Sequence, residues 1–155
     1  ANLSYKGFSA NILFQGATSR DMYIEDVVRG QSTGGYTMVY PYQLDYWMPD
    51  NTDAKYPRIA MNSNVNGNNN YVQSDFWLVN GRYIRLKSLQ IGYDFRTVLL
   101  KNVKWLYKCQ VMLSGQNLFT ISPATKYGFD PENGSTNNYD YPMQRVYSIS
   151  LNLGF

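Results

Sequence analysis

The sequence predicts an all-β chain: antiparallel strands of the transmembrane-barrel kind, about five of them, forming one segment of a larger barrel with long extracellular loops and short periplasmic turns. Three observations carry that expectation. Aromatic residues make up 16 % of the 155 positions, with 15 Tyr, 7 Phe and 3 Trp, yet mean hydropathy is −0.43. Such a mixture suits strands that alternate apolar with polar side chains. Several segments do alternate with period two, and the connections between them are short and long in turn.

In chain order, Ala1-Asn2-Leu3-Ser4-Tyr5 already lies inside an alternating pattern, so the chain reads as a piece of a longer protein. Tyr5-Lys6-Gly7-Phe8 predicts a tight turn with Gly where a positive φ is needed. Phe8, Ala10, Ile12 and Phe14 then alternate with Ser9, Asn11 and Gln15, Leu13 being the exception. From about Ser19 to Asn80 runs a long, Asn- and Tyr-rich loop, low in complexity over Asn62 to Asn70.

Leu89, Ile91, Tyr93 and Phe95 alternate with Ser88, Gln90, Gly92 and Asp94. Upstream, Ile84 and Leu86 fall on the other parity beside Arg85 and Lys87, which predicts either a bulge near Lys87 or a segment rising above the bilayer. Arg96 to Trp105 is a short connection with room for one helical turn through Val98-Leu99-Leu100-Lys101. Tyr107, Cys109, Val111 and Leu113 form the next apolar row, with Met112 out of phase, and Ile121 to Pro142 is a second long loop.

The last segment is the most regular. Tyr147, Ile149, Leu151, Leu153 and Phe155 alternate with Ser148, Ser150, Asn152 and Gly154. Begun near Met143, it has about 13 residues, which at roughly 3.3 Å each and a tilt near 45° covers about 30 Å, enough for an apolar band of about 25 Å. In a barrel this apolar row faces lipid and the polar row a wet lumen. With short turns at the periplasm, Phe8, Phe95, Trp105, Tyr107 and Phe155 fall at one depth, as an aromatic girdle does, and Tyr147 and Phe119 near the other edge.

Several function classes drop out. The net charge of +3 comes from scattered Lys and Arg, with no dense footprint for a phosphate backbone, so no nucleic-acid partner is expected. One cysteine, Cys109, and no histidine leave no disulfide and no ordinary zinc or copper ligand set, and no cofactor is expected. No run approaches the ~18 apolar residues of a membrane helix. Gly30-Gln31-Ser32-Thr33-Gly34 matches a nucleophile elbow, but without a histidine base it reads as a loop coincidence. Glu25-Asp26 and Asp130/Glu132 are acidic pairs on irregular loops, and loop formation accounts for them better than catalysis. Tyr36, Tyr40, Tyr42, Tyr46 and Trp47 in the first long loop could line a substrate vestibule or face a lid protein, but packing of the loop itself is the simpler reading.

Four stretches resemble one family. Gly81 to Tyr93, reading GRYIRLKSLQIGY, is similar to the YLRLKNLTLGY strand of SusC/RagA-type TonB-dependent transporters. Ser114 to Thr120 resembles their SGQNLFT segment, Gly128 to Glu132 their GYDPE loop, and Pro142 to Phe155 their aromatic terminus. Tyr46-Trp47-Met48-Pro49-Asp50-Asn51 followed by Lys55-Tyr56-Pro57-Arg58 also fits in order and spacing, whereas Arg96 stands where the family often has proline. The resemblance implies a plugged barrel of about 22 strands in the outer membrane of a Gram-negative bacterium. It further implies uptake of oligosaccharides or peptides, a SusD-like surface lipoprotein as lid, and energy from TonB through an N-terminal region outside these residues. It implies no enzymatic activity, and makes the terminal row an assembly signal as well as a lipid-facing surface. A soluble, aromatic-rich carbohydrate-binding β-sandwich and a non-transporting barrel are the alternatives.

If Leu151 faces lipid near the midplane, Leu151→Arg costs about 2–4 kcal/mol of insertion free energy. Heat-modifiable mobility of the membrane fraction checks this, and wild-type assembly of the variant would refute the lipid-facing assignment.

Overall fold

The computed structural model describes residues 1–25, 40–59, 69–70, 72–133, 141 and 143–155. Its strands are β1 (Asn2–Tyr5), β2 (Phe8–Ala17), β3 (Asp21–Tyr23), β4 (Leu78–Asn80), β5 (Tyr83–Asp94), β6 (Lys108–Ile121) and β7 (Val146–Gly154). The chain divides into two compact units, residues 1–17, 84–121 and 143–155 in one and 18–83 with 122–142 in the other. The first is a five-stranded sheet in the order β1-β2-β5-β6-β7; the second contains the small β3-β4 sheet.

The large sheet is an antiparallel meander. β1 and β2 join through Lys6 (φ 44°) and Gly7 (φ 82°), and two successive positive-φ residues make the turn whose twist matches paired strands. Asp94 N–H donates to the Gly7 carbonyl at 2.8 Å and Ser9 Oγ to the Gly92 carbonyl at 3.4 Å, so β2 runs against β5. β5 pairs with β6 and β6 with β7, both antiparallel.

Cross-strand partners share a face. Ile91, Leu113 and Ile149 therefore make one row and Tyr93, Val111 and Leu151 the next. On the opposite face lie Gln90, Ser114 and Ser148, then Gly92, Met112 and Ser150. The Ser9 hydroxyl stands 2.7 Å from where a Gly92 Cβ would be, which puts Ser9 on the polar face and leaves Phe8 and Ala10 for the apolar one.

The irregularity anticipated near Lys87 is a bulge, but its extra residue sits across from Lys87. Between the pairs Leu86–Phe119 and Ser88–Gln116, β5 advances two residues and β6 three, so Asn117 and Leu118 together oppose Lys87. Asn117 has φ 52°, a conformation that Asn tolerates better than most residues. The alternation of β5 runs on unreset, and Ile84 and Leu86 stay on the face of Ser88 and Gln90. The helical turn also differs from expectation: it spans Phe95–Val98, three residues earlier than Val98–Lys101. Asp94 Oδ1 accepts from Arg96 N–H at 2.9 Å and Thr97 N–H at 3.4 Å. That N-cap starts the turn as soon as β5 ends, so Phe95 lies one residue past the strand.

The second unit has its own core of Met22, Ile24, Tyr56, Trp77, Val79, Ala124 and Phe129, against which Tyr23, Tyr40, Tyr42, Tyr46 and Tyr127 pack. Tyr42 holds edge-to-face contacts with Tyr56 (5.3 Å) and Tyr127 (5.2 Å), a geometry that aromatic quadrupoles favour. Trp77, 1 % exposed, donates its indole N–H to the Asn70 carbonyl at 3.2 Å. A 3-10 turn at Pro41–Leu44 is closed reciprocally: Gln43 Oε1 accepts from Tyr40 N–H at 2.8 Å and Gln43 N–H donates to the Tyr40 carbonyl at 2.9 Å.

Two outcomes follow. Gly7→Ala imposes a Cβ 2.7 Å from Val98 Cγ2 and 3.0 Å from the Asp94 carbonyl as well as a strained φ, and costs about 1–2 kcal/mol or more, measurable by urea unfolding in micelles. Trp77→Ala removes the largest buried side chain of the second unit and costs it about 3–5 kcal/mol, measurable as faster proteolysis within residues 18–83.

Candidate functional site

Three surfaces carry the residues that the sequence singles out. The first is the apolar face of β7. Ile149 and Leu151 are 74 % and 61 % exposed, and Tyr147, Leu153 and Phe155 are exposed too. Their partners on β6 are Leu113, Val111, Gly115 and Cys109, so the row continues sideways instead of turning toward a core. Cys109 is half-buried and free.

The second surface is the short-turn end of the sheet. Phe8 follows the Lys6-Gly7 turn, Phe95 lies one residue past β5, Trp105 and Tyr107 precede β6, and Phe155 follows β7. Trp105 and Phe155 stack at 5.6 Å with their planes 4° apart, and Tyr93 meets Phe95 edge-on at 4.9 Å. Tyr107 behaves differently. Its N–H donates to the Gly154 carbonyl at 3.0 Å, while its ring lies across Gly154, 2.6 Å from where a Cβ would stand. It therefore covers the face that Gly154 shares with Lys108.

The third surface is in the first long loop. Tyr40, Tyr42 and Tyr46 pack on the aromatic core, whereas Trp47 is 40 % exposed. Asp45 organises the segment between them. Its carboxylate accepts from Asn51 Nδ2 and Lys55 N–H, each at 3.3 Å, and Tyr46 bridges to Tyr56. Burial above all, then Tyr127 and Asp45 beside it, pushes the Tyr56 phenol above its ordinary range, so it is a neutral hydroxyl at any physiological pH. Beside this knot opens a cleft of about 510 Å³ lined by Trp47, Lys55, Arg58, Asn69, Ser74 and Phe76, among others. Nothing in the sequence had marked Asn69, Ser74 or Phe76; they lie more than twenty residues from Trp47, and only folding assembles them.

Asp130 Oδ1 accepts from Glu132 N–H at 2.9 Å, a loop-closing bond, and the adjoining Phe129 is buried in the core. Glu25 lies just beyond β3. Tyr36, Asp26, the Gly30–Gly34 motif and 62–68 lie outside the described residues. Among the described residues no cluster of His, Cys, Asp or Glu has the makings of a metal site, and no helix is long and apolar enough to cross a membrane.

No family model matches the chain. Two curated relatives do, both from Formosa agariphila. TonB-dependent receptor P3 is 27 % identical over 168 residues, covering 99 % of this chain and 16 % of the relative. TonB-dependent receptor P39 is 26 % identical over 162 residues, covering 97 % and 15 %. Among solved structures, the RagAB peptide transporter superposes with a TM-score of 0.68 at 25 % identity, over 98 % of this chain and 16 % of that one. The RagAB peptide importer in its open-open state gives 0.67 at 24 %. The chain thus spans about one sixth of the length of the proteins it matches. It is a homologue of the TonB-dependent receptors, and its sheet fits a C-terminal portion of a SusC/RagA-type transporter barrel.

Proposed function

We propose that residues 1–155 are the C-terminal part of the barrel of an outer-membrane importer in a Gram-negative bacterium. The importer takes up oligosaccharides or peptides together with a SusD-like surface lipoprotein, and is energised by TonB acting on a region N-terminal to these residues. The observation that carries this reading is the uncovered apolar row: Ile149 and Leu151 remain 74 % and 61 % exposed on a sheet whose other face presents Ser148, Ser150 and Gln90. In water such a surface is an aggregation hazard. In a bilayer it is the lipid-facing side of a wall, and the polar face lines the bore.

The sheet's two edges support the same conclusion. Among the described residues β1 and β7 each have one neighbour, and in hydrocarbon every unpaired backbone group costs several kcal/mol. Further strands, about 22 in all, close the barrel and remove those edges. Phe8, Phe95, Trp105 and Phe155 then form the periplasmic-side aromatic girdle, with Tyr107 at the same depth. The terminal row from Tyr147 to Phe155 serves both as lipid-facing surface and as assembly signal. Tyr40, Tyr42 and Tyr46 shape the loop, and Trp47 is turned toward substrate or lid. The chain performs no catalysis: its work is to shape a passage. The relatives' names, receptor and peptide importer, accord with that.

Uptake of labelled oligosaccharides or peptides by cells carrying the intact protein is expected to stop when TonB is removed or the proton-motive force is collapsed. Undiminished uptake in the absence of TonB would identify a passive pore instead. A protein recovered from the soluble fraction without detergent would overturn the barrel reading altogether.

A further inference from the structure

The cleft beside Trp47 has a chemical character of its own. Among the described residues that line it, two are cations, Lys55 and Arg58, and none is a carboxylate. Asp45, two residues before Trp47, is engaged by Asn51 and the Lys55 backbone, while Asp53 and Asp75 adjoin lining residues in the sequence but are not among the described residues that line the cleft. Lys55 Nζ lies 5.3 Å from the Tyr56 ring centroid, so the aromatic wall and the positive charge are adjacent. Trp47 and Phe76 present exposed ring surface, 40 % and 48 %, while the Trp77 between Phe76 and the core is buried with its N–H already bonded to the Asn70 carbonyl. Asn69 and Ser74 add neutral hydrogen-bonding groups. The volume of about 510 Å³ falls in the range of roughly 300–1,000 Å³ typical of small-molecule clefts.

We infer that this cleft binds a carboxylate-bearing sugar unit, a uronic acid within an oligosaccharide. A pyranose offers an apolar C–H face, a ring of hydroxyls and, when oxidised at C6, one carboxylate. Exposed aromatic surface takes the first, carboxamide and hydroxyl groups the second, and a guanidinium fork the third. Arg58 suits that last task because its planar donors match the two oxygens of a carboxylate, and Lys55 supplies a second, more diffuse positive charge. A neutral sugar would leave both cations unused. An acidic peptide would satisfy them, but would match the aromatic and amide lining less completely. The inference gives a substrate class to the importer proposed above and in that sense rests on it, although binding to the cleft does not itself depend on transport.

The test is isothermal titration calorimetry on the intact protein purified in detergent. The probes are an oligomer of a uronic acid, a neutral oligosaccharide of the same length and an acidic peptide of similar charge. Saturable binding of the uronate is expected, at least about tenfold tighter than either comparison and weakening as salt rises. Arg58→Gln, at an exposed position that leaves the fold intact, is expected to weaken uronate binding about tenfold or more and to leave any neutral-sugar binding unchanged. Trp47→Ala weakens both sugars. Equal affinity for the neutral sugar, tighter binding of the peptide, or an Arg58→Gln variant that binds uronate as the wild type does would each overturn the assignment. Uptake by cells separates the two layers: uronate binding that responds to Arg58→Gln without energised uptake supports the cleft and sinks the importer.

Discussion

Everything in the sheet depends on strand register. Side chains alternate with period two, so a slip of one residue between β6 and β7 would exchange the Ile149–Leu151 row with Ser148, Ser150 and Asn152. The pairing holds without a break from Lys108–Gly154 to Gln116–Val146, and from Leu89–Gly115 to Asp94–Gln110 on the other side of β6. Only at Asn117 does the β5–β6 ladder shift. There the Asn117 carboxamide reaches the Gln144 carbonyl at 3.0 Å, so the bulged strand is tied to the segment leading into β7. Arg85, 2 % exposed, donates from Nε to Thr120 Oγ1 at 2.7 Å, pinning the ladder beyond the bulge.

The loop unit is stabilised by a different means. Long loops fail when they have nothing to bury, and this one buries rings. Trp77, Tyr56 and Phe129 form the centre, with Tyr40, Tyr42, Tyr46 and Tyr127 around them. Tyrosine serves well because its ring packs while its hydroxyl finds a partner, as Tyr56 and Tyr127 do with each other. Most of the described loop aromatics therefore pack as scaffold. Trp47 and Phe76, which stay half-exposed beside the cleft, are what that scaffold holds in place.

How far the sequence could be read depended on how local each signal was. The terminal strand and the Lys6-Gly7 turn were legible because alternation and a positive-φ glycine are properties of neighbouring residues. The helical turn was misplaced because its position is set by the Asp94 cap, a polar residue that reads equally well as the polar half of a strand repeat. The bulge announced itself at Lys87 through a parity change, yet its extra residue belongs to the facing strand, which no scan of one segment can reveal. The cleft was hidden for a related reason. Trp47, Arg58, Asn69 and Phe76 have no common period, and Asp53 and Asp75 beside lining residues in the sequence hide the absence of a carboxylate among the described lining.

Alternation alone cannot distinguish the correct strand alignment from one displaced by two residues, since both keep the greasy side outward. The phenol of Tyr107 resting on Gly154 removes that ambiguity. Slide the terminal strand along by two and the ring meets Asn152, whose side chain occupies the space that glycine leaves open. A single missing Cβ thus acts as a keyhole, admitting the last strand in one alignment and rejecting its nearest look-alike.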